Sequence, residues 1–221
     1  MNLIDFLNLL SDNNNRPWFQ QHKAIYDDLR ARWIDDLDRL IAALSAREPE
    51  LTYVAGADCA YRIYRDTRFS PDKTPYKTYF SAQVSPHGRR TDEAAYYIHA
   101  SIAPGDSGLY GGIWSPDAAK LRILRRAITD NIEEFREIIS APAMLKAYPQ
   151  WCGRRLKTVP KGWPKNHPDA DLLALCDIGR FHAVTSTFFL DPSWPDKAAD
   201  TLHLLQPLNR FINYSLHESD Q

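Results

Sequence analysis

The sequence predicts an α+β protein with a central, mainly antiparallel sheet covered by N-terminal, middle and C-terminal helices. Three observations carry this expectation. Residues 3–46 repeat apolar side chains at helical spacing. Residues 52–113 turn to period-two alternation rich in aromatics, and the stretches from Ser115 and from Pro195 return to helical spacing. Short connections between the successive strands imply antiparallel pairing, because parallel neighbours need long crossovers. With 221 residues, 44% hydrophobic composition and 6 Trp, 11 Tyr and 9 Phe, the chain has enough apolar surface for a sizeable core. Gly/Ser linkers, repeats and low-complexity tracts are missing, so residues 1–221 read as one domain.

Leu3, Phe6, Leu7 and Leu10 mark a short amphipathic helix, stopped by Ser11-Asp12-Asn13-Asn14-Asn15. Asn15 is placed to cap the next helix, with Pro17 in its first turn, where a missing N–H costs nothing. Trp18, His22, Tyr26, Leu29, Trp33, Leu40 and Leu44 then trace one face of a single helix from about residue 17 to Ala46. Strands are expected over Ala60–Tyr64, Thr78–Val84, Ala95–Ala103 and Leu109–Ile113, with the turn Pro104-Gly105-Asp106-Ser107-Gly108 between the last two. Ser115-Pro116-Asp117 opens a helix carrying Leu121, Leu124, Ile128, Ile132 and Phe135. Its basic residues lie early and Glu133, Glu134 and Glu137 late, which opposes the helix dipole and suggests a break near Thr129–Asn131. A short helix from Ala170, a strand over Arg180–Phe189 and one final helix from Pro195 complete the chain, the last burying Ala198, Leu202, Leu205, Leu208 and Ile212. Trp18, Trp33, Leu40, Leu121, Leu124, Leu205 and Phe211 are the expected core.

Composition excludes several function classes. With 27 Lys+Arg against 28 Asp+Glu the net charge is −1, which does not indicate a chain devoted to nucleic acid or membrane surfaces. The N-terminus lacks a basic n-region and no apolar run reaches membrane-spanning length, so neither a signal peptide nor a membrane association is expected. Three cysteines without a Cys-x-x-Cys pair fit reduced thiols and a cytoplasmic location. No phosphate-binding or dinucleotide glycine signature and no Gly-x-Ser-x-Gly elbow occurs, and the seven histidines fall at no metal-like spacing. No cofactor and no metal are expected.

One segment concentrates chemistry. Arg62-Ile63-Tyr64-Arg65-Asp66-Thr67-Arg68-Phe69-Ser70-Pro71-Asp72-Lys73-Thr74-Pro75-Tyr76-Lys77 sets Arg62, Arg65, Arg68, Lys73 and Lys77 around a turn, with Tyr64, Phe69 and Tyr76 as aromatic walls. Arginine forks suit phosphate or carboxylate, and lysines add point charge. A second basic stretch, Lys157-Thr158-Val159-Pro160-Lys161-Gly162-Trp163, offers Lys161 to the same anion. Asp66 is the remaining acid–base candidate, although flanking arginines depress a carboxylate and make it a weak base. In the alternative, Asp66 and Asp72 pair with these arginines and the segment clamps a loop to the sheet. The Asn-rich turn with Arg16, Trp18 and Lys23 reads as a helix cap, and Gly111-Gly112 as a tight turn, a bulge or a close backbone approach.

These residues carry a family resemblance. Asn13-Asn14-Asn15-Arg16, Trp18-Phe19, Lys23 and Tyr26, together with the Arg62–Lys77 segment, resemble a bacterial and fungal family labelled domain of unknown function 2461. The likeness extends through Gly111-Gly112-Ile113-Trp114, Pro116, the Leu156-Lys157 and Pro160-Lys161-Gly162 element, and Pro207-Leu208 with Phe211-Ile212-Asn213. The chain departs from the pattern at Cys176–Phe181, where members more often carry lysines beside an aromatic. The resemblance implies a shared fold and site, and no known activity.

The combined expectation is a cytosolic protein that binds a small phosphate- or carboxylate-bearing anion through Arg62, Arg65, Arg68, Lys73, Tyr76, Lys77 and Lys161. Two alternatives stand beside it. One is a binder of nucleic acid or nucleotide ends using Tyr76, Trp163 or Trp114 for stacking. The other is a non-catalytic interaction domain whose basic motif is structural. No motif names a reaction, so the sequence leaves enzymatic activity open.

Overall fold

The structure, a computed structural model, describes residues 1–218. Helices α1 (Leu3–Asp12), α2 (Arg16–Gln21), α3 (Lys23–Ser45) and the short α4 (Gly56–Cys59) precede strands β1 (Tyr79–Val84), β2 (Ala95–Ser101) and β3 (Gly108–Ile113). Then follow α5 (Ala118–Asp130), α6 (Ile132–Ser140), α7 (Pro142–Ala147), α8 (Ala170–Leu173), β4 (Ile178–Ala183), α9 (Trp194–His203) and α10 (Gln206–Glu218). The strands form one antiparallel sheet in the order β1-β2-β3-β4, so the fold is α+β. The backbone groups into two compact units. The first holds Met1–Arg90, Tyr97–Leu109 and Ala183–Asp200, and the second Thr91–Tyr96, Tyr110–His182 and the residues from Thr201 onward.

In the first unit the helices begin where the sequence says they should. The Asn2 and Asn15 side chains accept hydrogen bonds from the N–H groups of Asp5 (2.8 Å) and Trp18 (3.0 Å). The expected helix over 17–46 is two helices, parted at His22 (φ −106°, ψ 10°). There the His22 imidazole bonds the carbonyl of Trp18 at 2.8 Å, and its ring stacks on the indole at 3.9 Å. The break changes the helical phase, so Phe19 enters the core while Trp18 is only half-buried. From Tyr26 to Leu44 the apolar face of α3 is buried as expected, with Trp33 stacked on Trp194 at 5.3 Å and edge-on to Phe80 at 5.9 Å.

Two expected strands are shorter than the alternation suggests. Residues 60–64 contribute only isolated bridges, Ala60 to Ala82 and Tyr64 to Tyr76, because Pro75 has no N–H with which to extend the ladder. The strand expected over 180–189 ends at Ala183, and Ser186–Leu190 coils into a 3-10 turn where the Thr185 and Thr187 hydroxyls bond each other at 2.8 Å. Along β1 and β2 burial alternates with the pleat. Phe80, Ala82, Val84, Tyr96, Ile98 and Ala100 are buried, whereas Tyr79, Gln83, Tyr97 and His99 on the opposite face are partly exposed.

In the second unit the helix from Ser115 does break, at Asn131 (φ −124°, ψ 44°). That break puts Glu133 and Glu134 in the first turn of α6, where the dipole favours them. Leu124 is fully buried and Leu121, in the first turn of α5, only half so. The single final helix expected from Pro195 is likewise two helices. Pro207 lacks the N–H that would continue the hydrogen bonding past His203. Phe135 and Phe211 join α6 to α10 with ring centroids 5.0 Å apart. Gly112 carries β3 past β4 at φ +127°, and a Cβ there would collide with the carbonyl oxygen of Ile178. Two buried arginines hold backbone carbonyls at helix ends and in the segments that follow them. Arg125 donates to Leu173 (2.8 Å) and Leu175 (3.0 Å), and Arg180 to Tyr148 (2.7 Å) and Ile139 (3.1 Å).

Replacing Leu124 with Ala is expected to lower stability by about 2–5 kcal/mol, through lost burial and the cavity left behind. Gly112→Ala, which must strain the backbone and displace Ile178, is expected to be more damaging still. Urea titration of both variants checks this, and a parent-like midpoint for Leu124→Ala would mean that this face of α5 is not core.

Candidate functional site

The Arg62–Lys77 segment lies wholly in the first unit, and its position is set by Tyr76. The Asn14 side chain both donates to the Tyr76 carbonyl (2.9 Å) and accepts from the Tyr76 N–H (3.1 Å). The Tyr76 ring is 3% exposed and stacks on Phe19 at 4.0 Å, which makes it a core residue facing the N-terminal helices. Lys77 donates its N–H to the Ile63 carbonyl at 2.8 Å, and Arg65 donates its own to that of Pro75 at 2.9 Å. Residues 61–65 therefore run antiparallel to 75–79. Because successive residues alternate, burial of Tyr76 turns Lys77 to the opposite side.

The turn between them holds two ion pairs and a lysine bound to a backbone carbonyl. Arg65 donates to the Asp72 carboxylate (2.5 Å), to the Thr74 carbonyl (3.1 Å) and to the Thr74 hydroxyl. Arg68 pairs with Asp66 at 2.7 Å, and Lys73 donates to the Thr67 carbonyl at 2.8 Å. Hydrogen bonds from Arg68 hold the Asp66 carboxyl down at about 2, so it is an ionised acceptor and a feeble base. The backbone and side chain of Thr74, then Arg65, lower Asp72 in the same way. Phe69, at the tip, is 93% exposed beneath the Arg68 guanidinium. Lys161 sits exposed in the second unit, on the turn closed by the Trp163 N–H and the Pro160 carbonyl.

Arg62 and Lys77 are different. Among the described residues neither has an acidic group within ion-pair distance. The Lys77 ammonium lies over the rings of Tyr61 (5.3 Å) and Tyr79 (5.6 Å), half-buried. Burial, followed by the charge of Arg62, pulls it below its ordinary value.

Beside Lys77, on the same sheet face, is a group that sequence reasoning misses. The Tyr97 hydroxyl and His99 Nδ1 are 3.0 Å apart, and His99 Nε2 is 3.0 Å from Asp106 Oδ2. The His99 ring packs against Tyr79 at 4.3 Å, and the Tyr97 ring against Tyr61 at 6.3 Å. The Ser81 hydroxyl bonds the Tyr97 oxygen, and the Tyr61 hydroxyl donates to Gln83 at 3.0 Å. Burial pushes Tyr97 up to about 12. Burial also lowers His99, with Lys77 adding to the effect, and Asp106 only partly offsets this. The signal in the sequence is Tyr97-x-His99 on one face of an alternating strand, with Asp106 in the turn that folds back on it. A search for metal-like histidine spacing does not detect such a group. Among the described residues no group of three or more His, Cys, Asp or Glu side chains could hold a metal ion.

The structure thus defines an α+β protein in which the half-buried Lys77, just ahead of the first strand, lies over the rings of Tyr61 and Tyr79. The chain belongs to the family described as conserved hypothetical protein (DUF2461), whose model matches residues 2–211. No curated protein and no solved structure matches it. Among the described residues no helix is long and apolar enough to cross a membrane.

Two outcomes follow for stability. Arg65→Ala is expected to cost about 1–2 kcal/mol, since it removes charged hydrogen bonds at a half-buried position. Arg68→Ala, at an exposed pair, is expected to leave the urea midpoint unchanged. His99 is held below its ordinary 6.5, so the unfolded chain binds its proton first as pH falls. Folding stability should therefore be full above pH 6.5 and decline below it. The decline should be shallower in His99→Gln when melting is followed against pH.

Proposed function

We propose that the protein binds a small phosphate- or carboxylate-bearing anion at Lys77, over the rings of Tyr61 and Tyr79 and within the field of Arg62. The observation that carries this reading is the state of Lys77, a half-buried ammonium beside a second cation with no acidic partner among the described residues. A desolvated charge without a counter-charge is costly, and two adjacent like charges repel, so an oxyanion between them removes both penalties. The tyrosine rings supply a half-buried floor on which such a contact is stronger than in open water. Arg65, Arg68 and Lys73 enter this reading as the residues that shape the adjoining turn, since their hydrogen bonds are already made within it. Tyr76 enters as the anchor of the register. Lys161 is not needed for it.

Calorimetric titration with inorganic sulfate and inorganic phosphate tests the reading. The parent protein is expected to bind with shallow salt dependence, as suits one or two charge contacts rather than a tracked polyanion. Lys77→Gln should weaken binding about tenfold or more, equivalent to about 1.4 kcal/mol, and Arg62→Gln should weaken it less. Arg68→Gln should bind as the parent does. Absence of binding in the parent, or unchanged binding in Lys77→Gln, would overturn the reading.

A further inference from the structure

We propose that Tyr97, His99 and Asp106 form a proton relay serving the anion at Lys77, so that this site takes up a proton as its ligand binds. The inference rests on the reading of Lys77 above and adds acid–base competence to it.

The geometry sets the direction of the relay. Asp106 lies in the turn between β2 and β3, and its carboxylate faces His99 Nε2, which orders the ring with its proton on that nitrogen. Nδ1 is then a bare acceptor, and the Tyr97 hydroxyl donates to it. The Tyr97 oxygen accepts in turn from Ser81 on β1. When the Tyr97 oxygen takes a proton from the ligand or from water, its own proton passes to Nδ1. The result is an imidazolium held against the Asp106 carboxylate, with tyrosine neutral again. The donor's O–H bond and the original Tyr97 O–H bond break as a new Tyr97 O–H and an Nδ1–H form, the donor is left as its conjugate base, and no oxidant or reductant is required.

The surrounding charges explain why this uptake waits for a ligand. The groups facing the imidazole are Tyr97 from its own strand, Tyr79 from β1, Lys77 from the segment leading into β1, and Asp106 from the turn. Lys77 is the one cation among them. Burial first, and Lys77 after it, hold His99 neutral against the pull of Asp106. A bound oxyanion cancels the field of Lys77 at His99, and an imidazolium then becomes favourable. Asp66, the acid–base candidate suggested by sequence, has no such arrangement, since it faces Arg68 at the exposed turn.

Inorganic sulfate is a suitable test ion because it does not itself titrate near neutrality. Its affinity for the parent protein is expected to rise about tenfold between pH 7.5 and 5.5, the rise that follows when bound sulfate makes His99 hold its proton about tenfold more tightly. Buffers of different ionisation enthalpy should report proton uptake on binding, and nitrogen-15 spectra should show the His99 ring becoming doubly protonated as sulfate is added. In His99→Gln the rise with falling pH should vanish while sulfate still binds through Lys77. Asp106→Asn, at an exposed turn position, should retain binding with a smaller rise. Sulfate binding that is independent of pH, or equally pH-dependent in His99→Gln, would overturn the relay and leave the anion site standing. No sulfate binding at any pH would overturn both.

Discussion

The Asn14 carboxamide acts on Tyr76 as a neighbouring strand would, donating to its carbonyl and accepting from its N–H. The position needs this, because the bonds to residues 63 and 65 are made by Lys77 and Pro75, so the N–H and C=O of the buried Tyr76 face away from that segment and would otherwise be unpaired. Stacking on Phe19 then commits the ring to the core. With Tyr76 so fixed, Lys77 has no choice of side, and the pleat carries the same decision into β1, where Phe80 follows Tyr76 inward and Tyr79 follows Lys77 outward. The Asn-rich turn between α1 and α2 is therefore part of what aims the cation, although it lies far from it in sequence.

The basic motif separates into two parts that composition alone cannot distinguish. At Arg65 and Arg68 each cation has a carboxylate a few residues away, and Lys73 has the Thr67 carbonyl, so their hydrogen bonds are made within the turn. Arg62 and Lys77 make no ion pair among the described residues, although the charge of Arg62 is still felt at Asp66. The clamp that sequence reading weighs against a binding site accounts for Arg65 and Arg68, and does not account for Lys77.

What is legible in the sequence is what depends on local periodicity. The cap at Asn15, the apolar face of α3, the alternation of β1 and β2 and the break at Asn131 are all stated by neighbours within a few positions. What is not legible depends on groups brought together from a distance. The break at His22 is made by a ring that both stacks on Trp18 and bonds its carbonyl, and no helical period announces it. The His99 group draws on the segment before β1, on two strands and on a turn. Each of its members is ordinary until the strands pair.

The alternation that sets Tyr97 and His99 on one face and Ile98 on the other also limits how this surface can change over evolutionary time. Adding or deleting a single residue within β2 would exchange the two faces, placing an imidazole against the apolar side and an isoleucine beside Lys77. Substitution is thus the route of divergence open to the strands, because it preserves the phase of the pleat. A change of length is better tolerated in the turns, such as residues 66–74, whose lengthening leaves the strand phase untouched.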